Sequence, residues 1–306
     1  MRIKEAQLFG GILKRIGAAF QAFRRSTADV IPDGFIPISD FSPDDVFIVG
    51  YPKSGNTWFQ HLVAGVVYGV DPKWAPIAAV QDLVPDASLL KYYRRYAPRM
   101  FFKEHSLPRP DYRRVVYLLR DGRDAMVSYR HYREAVDKVK YDFQEFVTPE
   151  TDLYPCHWPR HVDAWTKNPY GAEILLIKYE DLLTQPVEQL QRFCEFVGIS
   201  RDIDHLKAVA EAAAFSNLRG KEAREGWPDS NFEAGKFFFR RGVVGSHKDE
   251  MPPGALQIFL GQASETLRRH GYEIGHSAWF AAVLGVAQGY LSDEGRPLEA
   301  LIYLFA

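Results

Sequence analysis

From about Asp44 the chain alternates short apolar runs with longer stretches in which apolar residues recur every three or four positions. Val46 to Val49, Met100 to Lys103, Val115 to Leu119 and Glu173 to Lys178 are of strand length. Their nearly continuous apolar character is what strands covered on both faces require. After the first run, Trp58, Phe59, Leu62, Val63, Val66 and Val67 repeat at i, i+4 spacing as the apolar stripe of a helix. Further helices are predicted near 124–137, 157–167, 187–198, 203–214 and 254–270, whereas Pro, Gly and charge between about 220 and 252 predict mostly loop. Strands alternating with helices imply an α/β chain whose central parallel β-sheet is flanked by helices. The pattern fits a single domain over 41–275, with 1–40 as an N-terminal and 276–306 as a C-terminal extension.

Composition narrows the function classes. With 306 residues, 46% apolar and 25% charged, the chain has ordinary globular usage and length enough for a large core, which excludes a disulfide-stapled mini-protein, wholesale disorder and collagen-like repeats. The 38 Lys plus Arg against 39 Asp plus Glu give a formal net charge of -1, so no global field attracts nucleic acid and any anion site is local. Cys156 and Cys194 stand far apart, outside Cys-x-x-Cys spacing. They offer neither a disulfide framework nor a cysteine zinc site, and point to a reducing, cytoplasmic compartment. The longest apolar stretch, Ala278 to Ala287, falls short of the roughly 18 residues of a spanning helix. Residues 1–25 differ from the rest: Arg2, Lys4, Lys14, Arg15, Arg24 and Arg25 face only Glu5, while Ile12, Ile16, Phe20 and Phe23 recur at helical spacing. This basic amphipathic segment suits peripheral membrane contact or docking on the protein's own body, and its Arg-rich, acid-poor start is also that of a transit peptide.

Two motifs carry chemistry. The stretch Gly50-Tyr51-Pro52-Lys53-Ser54-Gly55-Asn56-Thr57-Trp58 joins the first strand to its helix. Backbone N–H groups converge in such a loop and the helix N-terminus adds partial positive charge, so it suits a phosphate or sulfate group. Gly50 and Gly55 have the spacing of the G-x-x-x-x-G-K-[ST] loop, but Asn56 stands where that loop needs Lys. The only Lys, Lys53, lies inside the loop, which weakens a triphosphate and magnesium reading. In the second motif, Arg120 ends a strand and Ser128 falls in the first turns of the next helix. Guanidinium and hydroxyl can then grip one anion, unless Arg120 pairs with Asp121 or Asp124.

Together these motifs resemble the cytosolic-type sulfotransferases that use 3′-phosphoadenosine 5′-phosphosulfate (PAPS). Tyr51 to Trp58 reproduces that family's phosphosulfate loop Y-P-K-[SA]-G-[TN]-T-W, and Arg120 with Ser128 matches its 3′-phosphate pair. Lys103-Glu104-His105-Ser106-Leu107-Pro108 is similar to the segment around the family's catalytic His. Ile177 to Leu182 is similar to the strand end whose Tyr contacts adenine, and Arg240-Arg241-Gly242-Val243-Val244-Gly245 to the C-terminal loop that returns to the 3′-phosphate. The likeness spans about 44–272. It departs at Asn56, where Thr is more usual, at Arg241, where Lys is usual, and at Ser246-His247, which replace an Asp-Trp pair. In Ala213-Ala214-Phe215-Ser216-Asn217-Leu218 only Phe215 and the apolar end match the family's adenine-side segment.

The resemblance implies a P-loop nucleotide-triphosphate-hydrolase-like fold and in-line transfer of a sulfuryl group from PAPS to an acceptor hydroxyl or amine, with no metal. It implies Lys53 and His105 as catalytic residues: Lys53 on the bridging oxygen as charge develops, and neutral His105 as general base. Glu104 is the alternative base, and neighbours on a strand point to opposite faces, so only one of the two enters the site. Cofactor-binding residues carried over are Lys53, Ser54, Gly55, Asn56, Thr57, Trp58, Arg120, Ser128, Tyr179, Phe215, Arg240, Arg241 and Gly242, with the Asn56 amide donating to a phosphosulfate oxygen and Trp58 stacking on adenine. The aromatic stretches Lys91 to Tyr96 and Lys236 to Phe239 are candidate walls for a small-molecule or lipid-like acceptor. A homodimer is admitted. Two rival readings stand: an ATP-dependent P-loop kinase, and a non-catalytic nucleotide-binding, membrane-associated module.

Overall fold

A computed structural model of the chain describes residue 31 and residues 33–274. The predicted segment 1–25 and the extension 276–306 lie outside the described residues. Four parallel strands form the central sheet in the order β4-β2-β5-β6, where β2 is Val46–Gly50, β4 Phe101–Glu104, β5 Arg114–Leu119 and β6 Glu173–Lys178. A second sheet pairs β1 (Ile36–Pro37) antiparallel with β3 (Tyr92–Tyr93). The helices are α1 (Asn56–Tyr68), α2 (Ile77–Leu83), α3 (Gly122–Asp137), α4 (Phe143–Val147), α5 (Trp158–Lys167) and α6 (Tyr179–Thr184). They continue with α7 (Pro186–Val197), α8 (Ile203–Ala212), α9 (Phe215–Glu225), α10 (His247–Glu250) and α11 (Pro253–Arg269).

The period-2 alternation of each strand divides the core into two layers. Phe47, Val49, Val115, Tyr117 and Leu119 point to a layer closed by α3, α5 and α11. Val46, Ile48, Val116 and Leu118 point to the other, closed by α1, α7 and α8. Both faces of the sheet are therefore sealed, which is why these strands read as unbroken apolar runs. Cys156 and Cys194 are free and buried.

The stretch after 220 differs from the predicted loop: α9 continues to Glu225 and α10 covers His247–Glu250. The inward side of α9 is partly polar. Lys221 donates to the carbonyls of Pro72 and Ala75, and Glu222 accepts from the amides of Phe238 and Phe239. A helix that buries charge in this way leaves little apolar period to detect. Among the described residues no helix is long and apolar enough to cross a membrane.

Candidate active site

All four strands of the central sheet deliver a site residue at their carboxyl ends, the edge where open α/β sheets gather ligands. The Tyr51-to-Gly55 loop follows β2, His105 follows β4, Arg120 follows β5 and Tyr179 follows β6. Between them lies a cavity of about 370 Å³ lined by Lys53, Trp58, His105, Arg120, Tyr179 and Phe215 among others.

The loop is held in a conformation that requires a glycine at position 55. Gly55 caps α1 at φ 100, and a Cβ there would stand 2.8 Å from Tyr179 Cδ2. Lys53 itself has φ 70. Thr57 and Asn56 open α1 and line the cavity, and the Asn56 Nδ2 donates to the carbonyls of Ile48 (3.4 Å) and Glu104 (3.3 Å). Nδ2, the donor expected to meet a phosphosulfate oxygen, is engaged by these two carbonyls. The buried amide instead cross-links the ends of β2 and β4, satisfying carbonyls that the sheet leaves over. Ser54 is buried and is not among the cavity-lining residues.

At one end of the cavity Trp58 donates from Nε1 to the Ala213 carbonyl at 2.9 Å and meets the Tyr179 ring edge-on at 5.7 Å. The Arg120 guanidinium lies 4.3 Å over that same ring. Its Nη1 donates to the Lys53 carbonyl (3.0 Å) and its Nη2 to the Val243 carbonyl (3.1 Å), so one side chain ties the first loop to the C-terminal one. Asp121 is taken by Arg123 at 2.6 Å, and no carboxylate among the described residues pairs with Arg120. Its Nε is buried without a hydrogen-bond partner among them. Ser128, two turns into α3, lines the cavity as well.

The C-terminal loop is fastened by acids that sequence reading did not single out as anchors. Arg240 and Arg241 line the cavity, yet each donates to Glu250 at 2.6 Å, which also meets His131 Nε2 at 2.9 Å. Burial works against the ionised Glu250, but the two arginines and His131 outweigh it and hold its carboxyl at about 2. Asp124, in the first turn of α3, accepts from the amides of Gly245 (2.6 Å) and His247 (2.9 Å) and from His247 Nδ1 (2.6 Å). These bonds outweigh its burial and hold its carboxyl at about 2. Gly242, at φ +64, packs flat on Phe215, where a Cβ would come within 2.3 Å of Cδ2. Only spacing in three dimensions relates Asp124 to residues more than a hundred positions away, so no local signal marks it.

At the other end His105 and Lys103 face the cavity while Glu104 does not. Glu104 turns into the opposite layer, accepting from the His105 and Ser106 amides and, at 2.7 Å, from the Tyr112 hydroxyl. His105 Nδ1 lies 2.7 Å from the Gly50 carbonyl. A carbonyl only accepts, so Nδ1 carries the proton and the neutral ring keeps its lone pair on Nε2. Burial and then the Lys103 charge push the His105 pKa below that of an ordinary histidine, against Asp86 and the Gly50 carbonyl. Lys103 pairs with Asp86 at 2.6 Å.

Lys53 stands between the two ends. Its Nζ sits 3.4 Å from the Phe238 ring centroid and 4.9 Å from that of Tyr132. Burial, followed by the charges of Lys103 and Arg120, lowers its pKa well below that of a free lysine. Phe238, Phe239, Tyr129, Tyr132 and Tyr154 give this end an aromatic wall. Phe238 and Phe239 of the Lys236-to-Phe239 stretch thus line the cavity, whereas no residue of Lys91 to Tyr96 does. Tyr93 is in the core with its hydroxyl on the Asp40 carbonyl, Arg95 pairs with Asp45, and Tyr96 bonds to carbonyls at the end of α2.

Comparison with known proteins agrees with this arrangement. The sulfotransferase domain family matches residues 43–268. The chain belongs to the sulfotransferase family. It is an α/β enzyme that transfers a sulfuryl group from PAPS. Sulfotransferase 2A1 of Macaca fascicularis is 24% identical over 268 residues, covering 79% of this chain and 90% of that protein. Sulfotransferase 4A1 of Mus musculus is 28% identical over 193 residues, covering 57% and 67%. Among solved structures, retinol dehydratase in complex with androsterone and the inactive cofactor PAP superimposes at a TM-score of 0.60 with 20% identity, covering 78% of this chain and 84% of that one. Mouse sulfotransferase SULT7A1 complexed with PAP does so at 0.55 with 21% identity, covering 75% and 86%. These two likenesses show the shared fold.

Proposed function

We propose that this sulfotransferase acts on the hydroxyl of a small, largely apolar acceptor, with His105 as general base and Lys53 on the leaving phosphate. The observation that carries the reading is the cavity itself. It joins a guanidinium with an unpartnered Nε, at Arg120, to a histidine whose Nε2 lone pair is unprotonated, at His105. PAPS brings an activated sulfuryl group, so the chain's own residues have to position, deprotonate and neutralise. His105 Nε2 takes the acceptor proton as the acceptor oxygen bonds to sulfur. The sulfur–oxygen bond to the 5′-phosphate breaks, its electron pair stays on the phosphate, and Lys53 offsets the new charge. A sulfate ester and adenosine 3′,5′-bisphosphate result.

Arg120 and Ser128 serve the 3′-phosphate in this reading, with Trp58, Tyr179 and Phe215 around the adenine. The aromatic wall of Tyr129, Tyr132, Phe238 and Phe239 favours an apolar acceptor body. The retinol dehydratase neighbours hold androsterone or retinol, which supports the same acceptor class. The test is transfer of labelled sulfuryl from PAPS to mixed phenol, sterol, sugar and lipid pools. Label should pass to the phenol or sterol pool, and Lys53→Ala should lower the turnover number by about a hundredfold or more. Label in the sugar pool alone, or full turnover by Lys53→Ala, would refute this assignment.

A further inference from the structure

The carboxylate of Asp124 is fully buried, and it meets three consecutive residues of the C-terminal loop. Oδ2 accepts from the Gly245 amide at 2.6 Å. Oδ1 accepts from the His247 amide at 2.9 Å, from His247 Nδ1 at 2.6 Å and more distantly from Ser246 Oγ at 3.3 Å. His247 is itself 7% exposed, so its imidazole is committed to this contact. These bonds fasten the end of the loop whose earlier residues Arg240, Arg241, Gly242 and Val243 line the cavity. The same loop is touched from the cavity by Arg120, through the Val243 carbonyl, and by Phe215, through Gly242. A loop pinned on helix α3 at one end and laid on Arg120 and Phe215 at the other has little freedom to withdraw.

We propose that Asp124 and His247 are positioning residues: they form a latch that sets the Arg240-to-Ser246 loop over the nucleotide end of the cavity. The latch governs how tightly the nucleotide is held and leaves the transfer step alone, because His105 and the Lys53 ammonium lie outside it. This rests on the assignment of Arg120 to the 3′-phosphate. Asp124 belongs to the same helix as Ser128, so one element carries both the grip and the latch. A pre-set loop spares the nucleotide the ordering that a loose one would require. His247 stands where the family pattern has Trp, and its Nδ1–H supplies the one side-chain donor in the latch that a short amide can imitate.

The experiment compares wild type, His247→Ala and His247→Asn by titration with adenosine 3′,5′-bisphosphate, by steady-state kinetics with PAPS, and by hydrogen exchange at the Gly245 and His247 amides. Asn places an N–H donor near the position of Nδ1. His247→Ala should raise the bisphosphate Kd and the KM for PAPS about tenfold, with kcat within about twofold of wild type. Both amides should exchange faster, and His247→Asn should recover most of the affinity and the protection. Unchanged Kd in His247→Ala, a fall in kcat at constant KM, or no recovery in His247→Asn would overturn the latch. Wild type that binds no bisphosphate would instead refute the assignment of the cavity. In that case, unchanged exchange at Gly245 in His247→Ala would still overturn the latch.

Discussion

The choice between two adjacent residues decides the base. His105 and Glu104 are both near the end of β4, yet the strand's alternation sends Glu104 to Tyr112 and Ser106 in the opposite layer and leaves His105 on the cavity. A carboxylate that accepts four hydrogen bonds, two of them from backbone amides, is part of the turn that holds His105. His105→Ala should therefore abolish most turnover while leaving bisphosphate affinity near wild type. In wild type, activity should fall as pH drops through a value below 6.5, because burial and Lys103 lower the His105 pKa and protonation removes the base. A pH–rate profile checks both points: that acid limb should vanish in any residual activity of His105→Ala. Glu104→Gln should instead act on stability first. If Glu104→Gln abolishes turnover in a folded protein while His105→Ala does not, the base is Glu104.

At the scale of elements, the strands and the long apolar helices could be read from the sequence because burial on both sheet faces writes itself into period and run length. Val46, Met100, Val115 and Glu173 mark the strand starts to within a residue. The loop after β2 is legible for a different reason: its backbone needs Gly50 and Gly55 at fixed spacing, because a Cβ at either would meet a neighbour within 3 Å. What escaped were elements whose inward side is polar, as in α9 with Lys221 and Glu222, and long-range anchors such as Asp124 and Glu250. The aromatic stretches show the limit of composition. Lys91 to Tyr96 and Lys236 to Phe239 look alike as sequence, and only the second reaches the cavity, since Glu222 binds its amides and Trp227 stacks on Phe238 at 3.9 Å. The closest backbone approach in the site yields an element-scale prediction. Gly242→Ala must hold φ near +64 and place its Cβ against Phe215, costing about 1–2 kcal/mol for the left-handed conformation before any clash. Calorimetry should show bisphosphate affinity reduced at least tenfold, while far-UV circular dichroism stays that of wild type. Wild-type affinity would mean that the C-terminal loop does not close on the nucleotide.

For the whole molecule, two buried histidines link folding to pH. His61 and His161 are both fully buried, and burial lowers each pKa to about 3. They are neutral in the folded chain across the working range, whereas the unfolded chain protonates them near the ordinary value of about 6.5. Between these limits the unfolded state binds more protons, so the stability is fully present above pH about 6.5 and is lost as pH falls. Each histidine contributes roughly 1.4 kcal/mol per pH unit in that window. Urea unfolding at pH 7, 6 and 5 should show a steep decline, and His161→Gln should flatten it. Equal stability at pH 5 and pH 7 would contradict the buried neutral state. His161 Nε2 also donates to the His105 carbonyl at 3.1 Å, so the neutral buried ring supports the turn that carries His105.

The proposed assignment puts the 3′-phosphate grip, at Arg120 and Ser128, and the base, at His105, in one cavity that Lys53 also lines. The central claim is that Arg120 recognises a 3′-phosphate, the group that separates this family's co-substrate from AMP and ATP. Titration calorimetry of adenosine 3′,5′-bisphosphate and of AMP against wild type and Arg120→Ala measures it as a double difference, which cancels general damage from losing the contacts to Lys53, Val243 and Tyr179. Arg120→Ala should weaken the bisphosphate by about 2–3 kcal/mol, the cost of losing a desolvated charge-assisted pair, and leave AMP nearly unchanged. Equal weakening of both nucleotides would contradict the claim and make Arg120 a structural tie between the two loops.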